Sequence, residues 1–153
     1  MSMKLLIVDD ERLIGSYIAQ CVEQADCGVE VIGTVTSAAR ALQLIEGQTI
    51  DLIFVDITML KMNGLELLKI VKRTHLEIMV IMLTCHHDFD FVRTAMQYDA
   101  DRYVLKSEID PELMREILTE AQHVRHHRKV EQIDQQVRRQ DCLKRIVTGE
   151  WAF

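Results

Sequence analysis

At 153 residues, 48% of them hydrophobic and with only six glycines and one proline, the chain has room for one full domain and a little more, and is neither disordered nor fibrous. The net charge of −6 is uneven: residues 1–118 carry 19 acidic against 11 basic side chains, and residues 119–153 carry 5 against 7, which argues against nucleic-acid binding by the body and leaves the tail only mildly basic. No apolar run approaches a membrane span, the start Met1-Ser2-Met3-Lys4 passes directly into a strand pattern without a signal peptide, and Cys21, Cys27, Cys85 and Cys142 have no zinc-like spacing, so a cytoplasmic setting is expected.

Short apolar runs at 4–8, 29–33, 51–55, 78–83 and 102–105 predict strands, and because they lack alternation they read as buried on both faces, as in a parallel sheet. Between them, amphipathic stretches at 12–24, 37–46, 64–74 and 88–97, then one from 110 onward, predict helices. Ser37 and Asp88 are candidate N-caps, and Asn63-Gly64 is a turn opening the third helix. Asp110-Pro111-Glu112 supplies a capping Asp, a first-position proline and a first-turn acid. Five strand–helix units predict a doubly wound α/β domain with a five-stranded parallel sheet over 1–122. After it, 123–153 reads as a helical extension in which Val130, Ile133 and Val137 hold an incomplete heptad spacing suited to dimerisation.

Open parallel sheets place their sites beyond the carboxyl ends of the strands. Here those ends deliver Asp9-Asp10-Glu11, Asp56, Thr84 and Lys106 to one rim. Carboxylates gathered there suit a hard, oxygen-seeking cation such as Mg²⁺. Glu11 reads as a helix-start acid, and the pairs His86-His87 and His126-His127 as surface histidines, because adjacent residues point apart.

Four motifs in this order resemble the receiver domain of two-component response regulators. They are Leu6-Ile7-Val8-Asp9-Asp10-Glu11, Val55-Asp56-Ile57-Thr58-Met59 leading to Met62-Asn63-Gly64-Leu65-Glu66, Ile81-Met82-Leu83-Thr84, and Tyr103-Val104-Leu105-Lys106. The resemblance covers about residues 3–122 and implies the flavodoxin-like receiver fold. It implies that Asp56 takes a phosphoryl group from a sensor histidine kinase. It further implies that Asp9, Asp10, Asp56 and the backbone carbonyl of Thr58 hold Mg²⁺, and that Thr84 and Lys106 contact the phosphoryl group. Thr84 and Tyr103 would be the switch residues, and the face built from 88–106 and the last helix would carry the change to a partner or a second copy.

The chain departs from this pattern at three places: Leu60 and Ser107 stand where prolines are usual, and Asp99 where glycine is common. A cis bond without proline costs about 2.5–4 kcal/mol, so the Lys106–Ser107 bond is expected to be trans. Asp88-Phe89-Asp90-Phe91-Val92 and the tail 143–150 resemble regulators with an AraC-type DNA-binding domain. That makes DNA contact a property of an output domain that is absent from this chain, which is expected to be a fragment. The alternatives are a stand-alone receiver acting through protein contacts and a Mg²⁺-dependent phosphohydrolase. The latter is disfavoured because Thr58, not a second carboxylate, lies two residues past Asp56. No steady enzyme activity is expected beyond self-phosphorylation and self-dephosphorylation.

Overall fold

The computed structural model describes residues 2–57, 59, 63–85 and 89–127, apart from the side chains of Phe89 and Phe91. Five strands, β1 (Met3–Val8), β2 (Val29–Val35), β3 (Leu52–Asp56), β4 (Met79–Thr84) and β5 (Arg102–Leu105), form one parallel sheet in the order β2-β1-β3-β4-β5. The helices between them are α1 (Arg12–Ala25), α2 (Ala38–Gly47), α3 (Gly64–Thr74) and α4 (Phe89–Gln97), and a last helix, α5, runs over 111–127. The chain moves outward once, from β1 to β2, then back across β1 to β3 and onward. Right-handed crossovers therefore place α1 on one face of the sheet and α2, α3 and α4 on the other.

Strand alternation divides the core accordingly. Leu6, Val8, Ile53, Val55, Val80 and Met82 pack with Ala41 and Ile45 of α2, Leu67, Leu68 and Val71 of α3, and Ala95 of α4. The intervening strand residues Leu5, Ile7, Leu52, Phe54, Ile81 and Leu83 are buried too, as are Ile18, Cys21 and Val22 of α1 and Met114, Ile117 and Leu118 of α5. Both faces of the three central strands β1, β3 and β4 are buried, which is the physical reason their runs lack alternation. The edge strands β2 and β5 depart from that expectation, being half-buried or exposed at most positions because each has a neighbour on one side only.

Helix starts follow the expected chemistry. The side chains of Ser37, Asn63 and Asp110 accept from the amides of Arg40, Glu66 and Leu113, satisfying orphan first-turn donors. Asp99 ends α4 in the left-handed region (φ 67°), and Ala100 N closes the cap on Ala95 O at 3.1 Å, so the position where glycine is common carries real backbone strain. At the amino edge of the sheet Lys72 pairs with Asp101 at 2.8 Å, and the same carboxylate oxygen accepts from Val80 N, tying α3 to the starts of β4 and β5.

The chain divides into two units, Met1–Thr119 and Glu120–Phe153. In the second, the described residues 120–127 are helical, and the rings of His123 and His127 meet edge-on at 5.3 Å. His126 and His127 are exposed, whereas His86-His87, the Asp88 cap and the heptad-like positions of the extension lie outside the described residues.

Candidate functional site

Four strand ends meet at the carboxyl edge beside the crevice between β1 and β3, where the strand order reverses. Asp9 follows β1 and is 1% exposed. Its amide donates to Val35 O at 3.0 Å, and its Oδ1 accepts from Glu11 N at 2.9 Å, which turns the chain into α1. Asp56 is the last residue of β3 and is 2% exposed.

Lys106, the residue after β5, reaches both carboxylates: Nζ lies 2.9 Å from Asp9 Oδ2 and 3.1 Å from Asp56 Oδ2, with Glu11 Oε1 at 4.0 Å. Burial, the largest single influence, pushes the Lys106 pKa down. The Asp9 and Asp56 carboxylates together outweigh it and hold the ammonium above its ordinary value. The Lys106–Ser107 bond is trans, as expected, and Lys106 opens a 3₁₀ turn, Lys106–Glu108. The trans bond does not withdraw the ammonium from the site.

One ammonium thus faces several carboxylates. Oxygens of Asp9, Asp10 and Glu11 lie within 4.8 Å of one another, with Asp9 buried, Asp10 partly buried and Glu11 exposed. Glu11 stands at the N-cap of α1, but its side chain makes no capping bond. Asp9 Oδ2 is buried and is met by the Lys106 ammonium. An all-oxygen cluster that carries more negative charge than its one ammonium neutralises fits a hard divalent cation.

Thr84 ends β4, 1% exposed, and its hydroxyl donates to Cys85 O at 3.1 Å. Tyr103 pairs with Met82 in the register and Leu105 with Thr84, so Tyr103 and Thr84 share the α4 side of the sheet. Tyr103, on edge strand β5, is 48% exposed. Thr58 lies outside the described residues.

A residue that sequence reasoning treated only as a turn proves to be part of the site's scaffold. Gly64 N donates to Ile57 O at 2.9 Å, and a Cβ on Gly64 would collide with the Asp56 carbonyl oxygen and come within 2.9 Å of the Asp56 carbonyl carbon. The start of α3 therefore presses on the backbone of Asp56 as only glycine permits. The Asn63-Gly64 turn signal marked the position but not the close approach.

Comparison with known proteins decides the family. The model for the response regulator receiver domain matches residues 5–119. The chain belongs to the response regulator receiver family. The receiver is 33% identical over 103 residues to the transcriptional regulatory protein HptR of Staphylococcus aureus, covering 67% of this chain and 40% of that one. It is 29% identical over 129 residues to the uncharacterized transcriptional regulatory protein YesN of Bacillus subtilis, covering 82% and 35%. It thus spans well under half the length of these relatives. Among solved structures, the receiver matches the REC domain of AraT, a response regulator from Geobacillus stearothermophilus, with TM-score 0.75, 29% identity and coverage of 86% of this chain and 99% of that one. It also matches the receiver domain of NtrX from Brucella abortus, with TM-score 0.70, 28% identity and coverage of 76% and 96%.

Proposed function

We propose that Asp56 is the phosphoacceptor of a two-component switch, phosphorylated by a sensor histidine kinase in a Mg²⁺-dependent reaction. The observation that carries this reading is the buried Asp56 carboxylate held against Lys106 beside the Asp9-Asp10-Glu11 cluster. A carboxylate oxygen of Asp56 attacks the phosphorus in line, the P–N bond to the donor imidazole breaks, and its electron pair leaves with the imidazole. Asp9, Asp10, Asp56 and the Thr58 carbonyl would hold the cation. When bound, Mg²⁺ supplies charge neutralisation between carboxylate and phosphoryl oxygens.

Lys106 moves from its carboxylate partners to a phosphoryl oxygen, exchanging one charge-assisted contact for another. The Thr84 hydroxyl leaves Cys85 O to donate to a second phosphoryl oxygen, and Tyr103 turns inward on the same side of the sheet. This biases the α4–β5 surface between two packings, and about 5 kcal/mol of differential stabilisation swings such an equilibrium nearly completely. The exposed Tyr103 suits this surface to a second copy of the chain, and the alternative dimerising element is the C-terminal helix.

The output is transcription, through a DNA-binding domain of the AraC type beyond this receiver, in the cytoplasm. Its support is that HptR and YesN are named transcriptional regulators and are much longer than the matched region. No helix among the described residues is long and apolar enough to cross a membrane. The test is intact mass after incubation with acetyl phosphate. One adduct that requires Mg²⁺ and is absent from Asp56→Asn supports the reading. A folded protein that gains no adduct from acetyl phosphate or a cognate kinase rejects it.

A further inference from the structure

Lys106 stands at the head of a turn that nothing in its own sequence makes rigid. Ser107 follows it, so no proline ring fixes the backbone there. The turn's own hydrogen bond, Ile109 N to Lys106 O, is 3.4 Å, at the weak end of the range. Two shorter bonds brace the segment from outside. Leu113 N donates to Asp110 Oδ1 at 2.7 Å, capping α5, and the Tyr17 hydroxyl donates to Ile109 O at 2.8 Å. The second bond crosses from α1 to the residue that closes the Lys106 turn. The Ile109 side chain is buried, so its position is held by packing on one side and by the phenol at its carbonyl on the other.

The consequence lies at the ammonium. Lys106 Nζ sits within 3.1 Å of two carboxylates at once, so a displacement of a few tenths of an ångström lengthens one contact at the expense of the other. We propose that Tyr17 is a positioning residue for Lys106: by holding the Ile109 carbonyl, its hydroxyl sets where the ammonium stands between Asp9 and Asp56, and so how well it meets a phosphoryl group on Asp56. The inference rests on Asp56 being the phosphoacceptor. The hydroxyl is suited to the task at neutral pH. A phenol keeps its proton there, and the hydrogen bond with Cys21, the largest influence, holds the Tyr17 pKa above its usual value.

The test is Tyr17→Phe, which keeps the ring and removes only the hydrogen bond, in a double-mutant cycle with Lys106→Ala. The readout is the rate of Mg²⁺-dependent phosphorylation by acetyl phosphate. With Lys106 present, Tyr17→Phe should slow the reaction about fivefold, within the range that misplacing a catalytic group costs. With Lys106→Ala, it should change the rate by less than about twofold, because the group it positions is gone. An unchanged rate in the first background, or an equal loss in both, overturns the proposal.

Amide hydrogen exchange at Ser107, Glu108 and Ile109 provides a readout that needs neither phosphorylation nor the Lys106→Ala fold. It should accelerate about fivefold in Tyr17→Phe for the loss of one neutral hydrogen bond. Unchanged exchange overturns the brace even in a protein that is phosphorylated normally. A wild-type protein that accepts no phosphoryl group rejects the phosphoacceptor reading instead, and with it Tyr17's role toward a phosphoryl group, whatever the exchange shows.

Discussion

Replacing Lys106 by Met removes the cation that two buried carboxylates share. The Lys106, Asp9 and Asp56 side chains are 9%, 0% and 3% exposed, and the two contacts measure 2.9 and 3.1 Å. At an effective dielectric of about 20, each attraction is about 5–6 kcal/mol before desolvation is subtracted. Much of that gross energy offsets the cost of burying the three charges. What Met leaves behind is two neighbouring carboxylates without their ammonium, and breaking a buried pair in this way costs about 3–5 kcal/mol. For a domain of this size the melting temperature should fall by roughly 10–15 °C.

The assay is urea denaturation in EDTA at pH 7.5, comparing wild type, Lys106→Met, and Lys106→Met with Asp56→Asn. The double variant should recover about 1–3 kcal/mol, because one uncompensated buried charge becomes a neutral amide. A loss below about 1 kcal/mol in Lys106→Met, a value typical of exposed pairs, would refute the argument that Lys106 is the counter-charge of this pocket. So would a double variant no more stable than the single.

Three further outcomes follow from the same geometry. Gly64→Ala should cost about 1–3 kcal/mol in urea and slow acetyl-phosphate labelling about tenfold or more, because its methyl displaces the Asp56 backbone; normal labelling would show that the loop relaxes freely. Asp99→Gly should raise stability by about 0.5–1 kcal/mol, the left-handed strain removed exceeding the chain entropy that glycine adds, and a lower urea midpoint would contradict this. In metal-free protein, Lys106 has a folded pKa above its ordinary 10.5, so its contribution is complete below about that pH and is lost as pH rises through the folded value. The stability difference between wild type and Lys106→Met should therefore be flat from pH 7 to about 9 and shrink above about 10.5, and a decline beginning near neutrality would count against it.

The elements were legible because their physics is local. Each apolar run became a strand within about two residues of its expected bounds, and in β1, β3 and β4 burial on both faces demands an unbroken run. Ser37 and Asp110 cap as expected, and Asn63, read only as part of a turn, caps as well. Strand ends also gave Asp9, Asp56, Thr84 and Lys106, because a parallel sheet collects whatever follows its strands.

Contacts between distant residues were not legible. The attachment of Lys106 to Asp9 as well as Asp56 needs the strand order and the 3₁₀ turn, neither of which periodicity specifies. The exposure of Tyr103 goes with the place of β5 at the edge of the sheet, which the strand order decides. The Tyr17 brace joins residues 92 positions apart, and helix periodicity marks Tyr17 only as one of many residues on α1. Gly64 was visible as a turn residue, yet the collision that requires glycine depends on where β3 ends.

The most direct test is to locate the phosphoryl group. Protein treated with acetyl phosphate and Mg²⁺ is reduced with borohydride, which converts an aspartyl phosphate to homoserine, and its peptides are sequenced by tandem mass spectrometry. The account predicts homoserine at position 56 alone, abolished by EDTA. Modification at Asp9 or Asp10 in place of Asp56, or labelling that persists without a divalent cation, would contradict it.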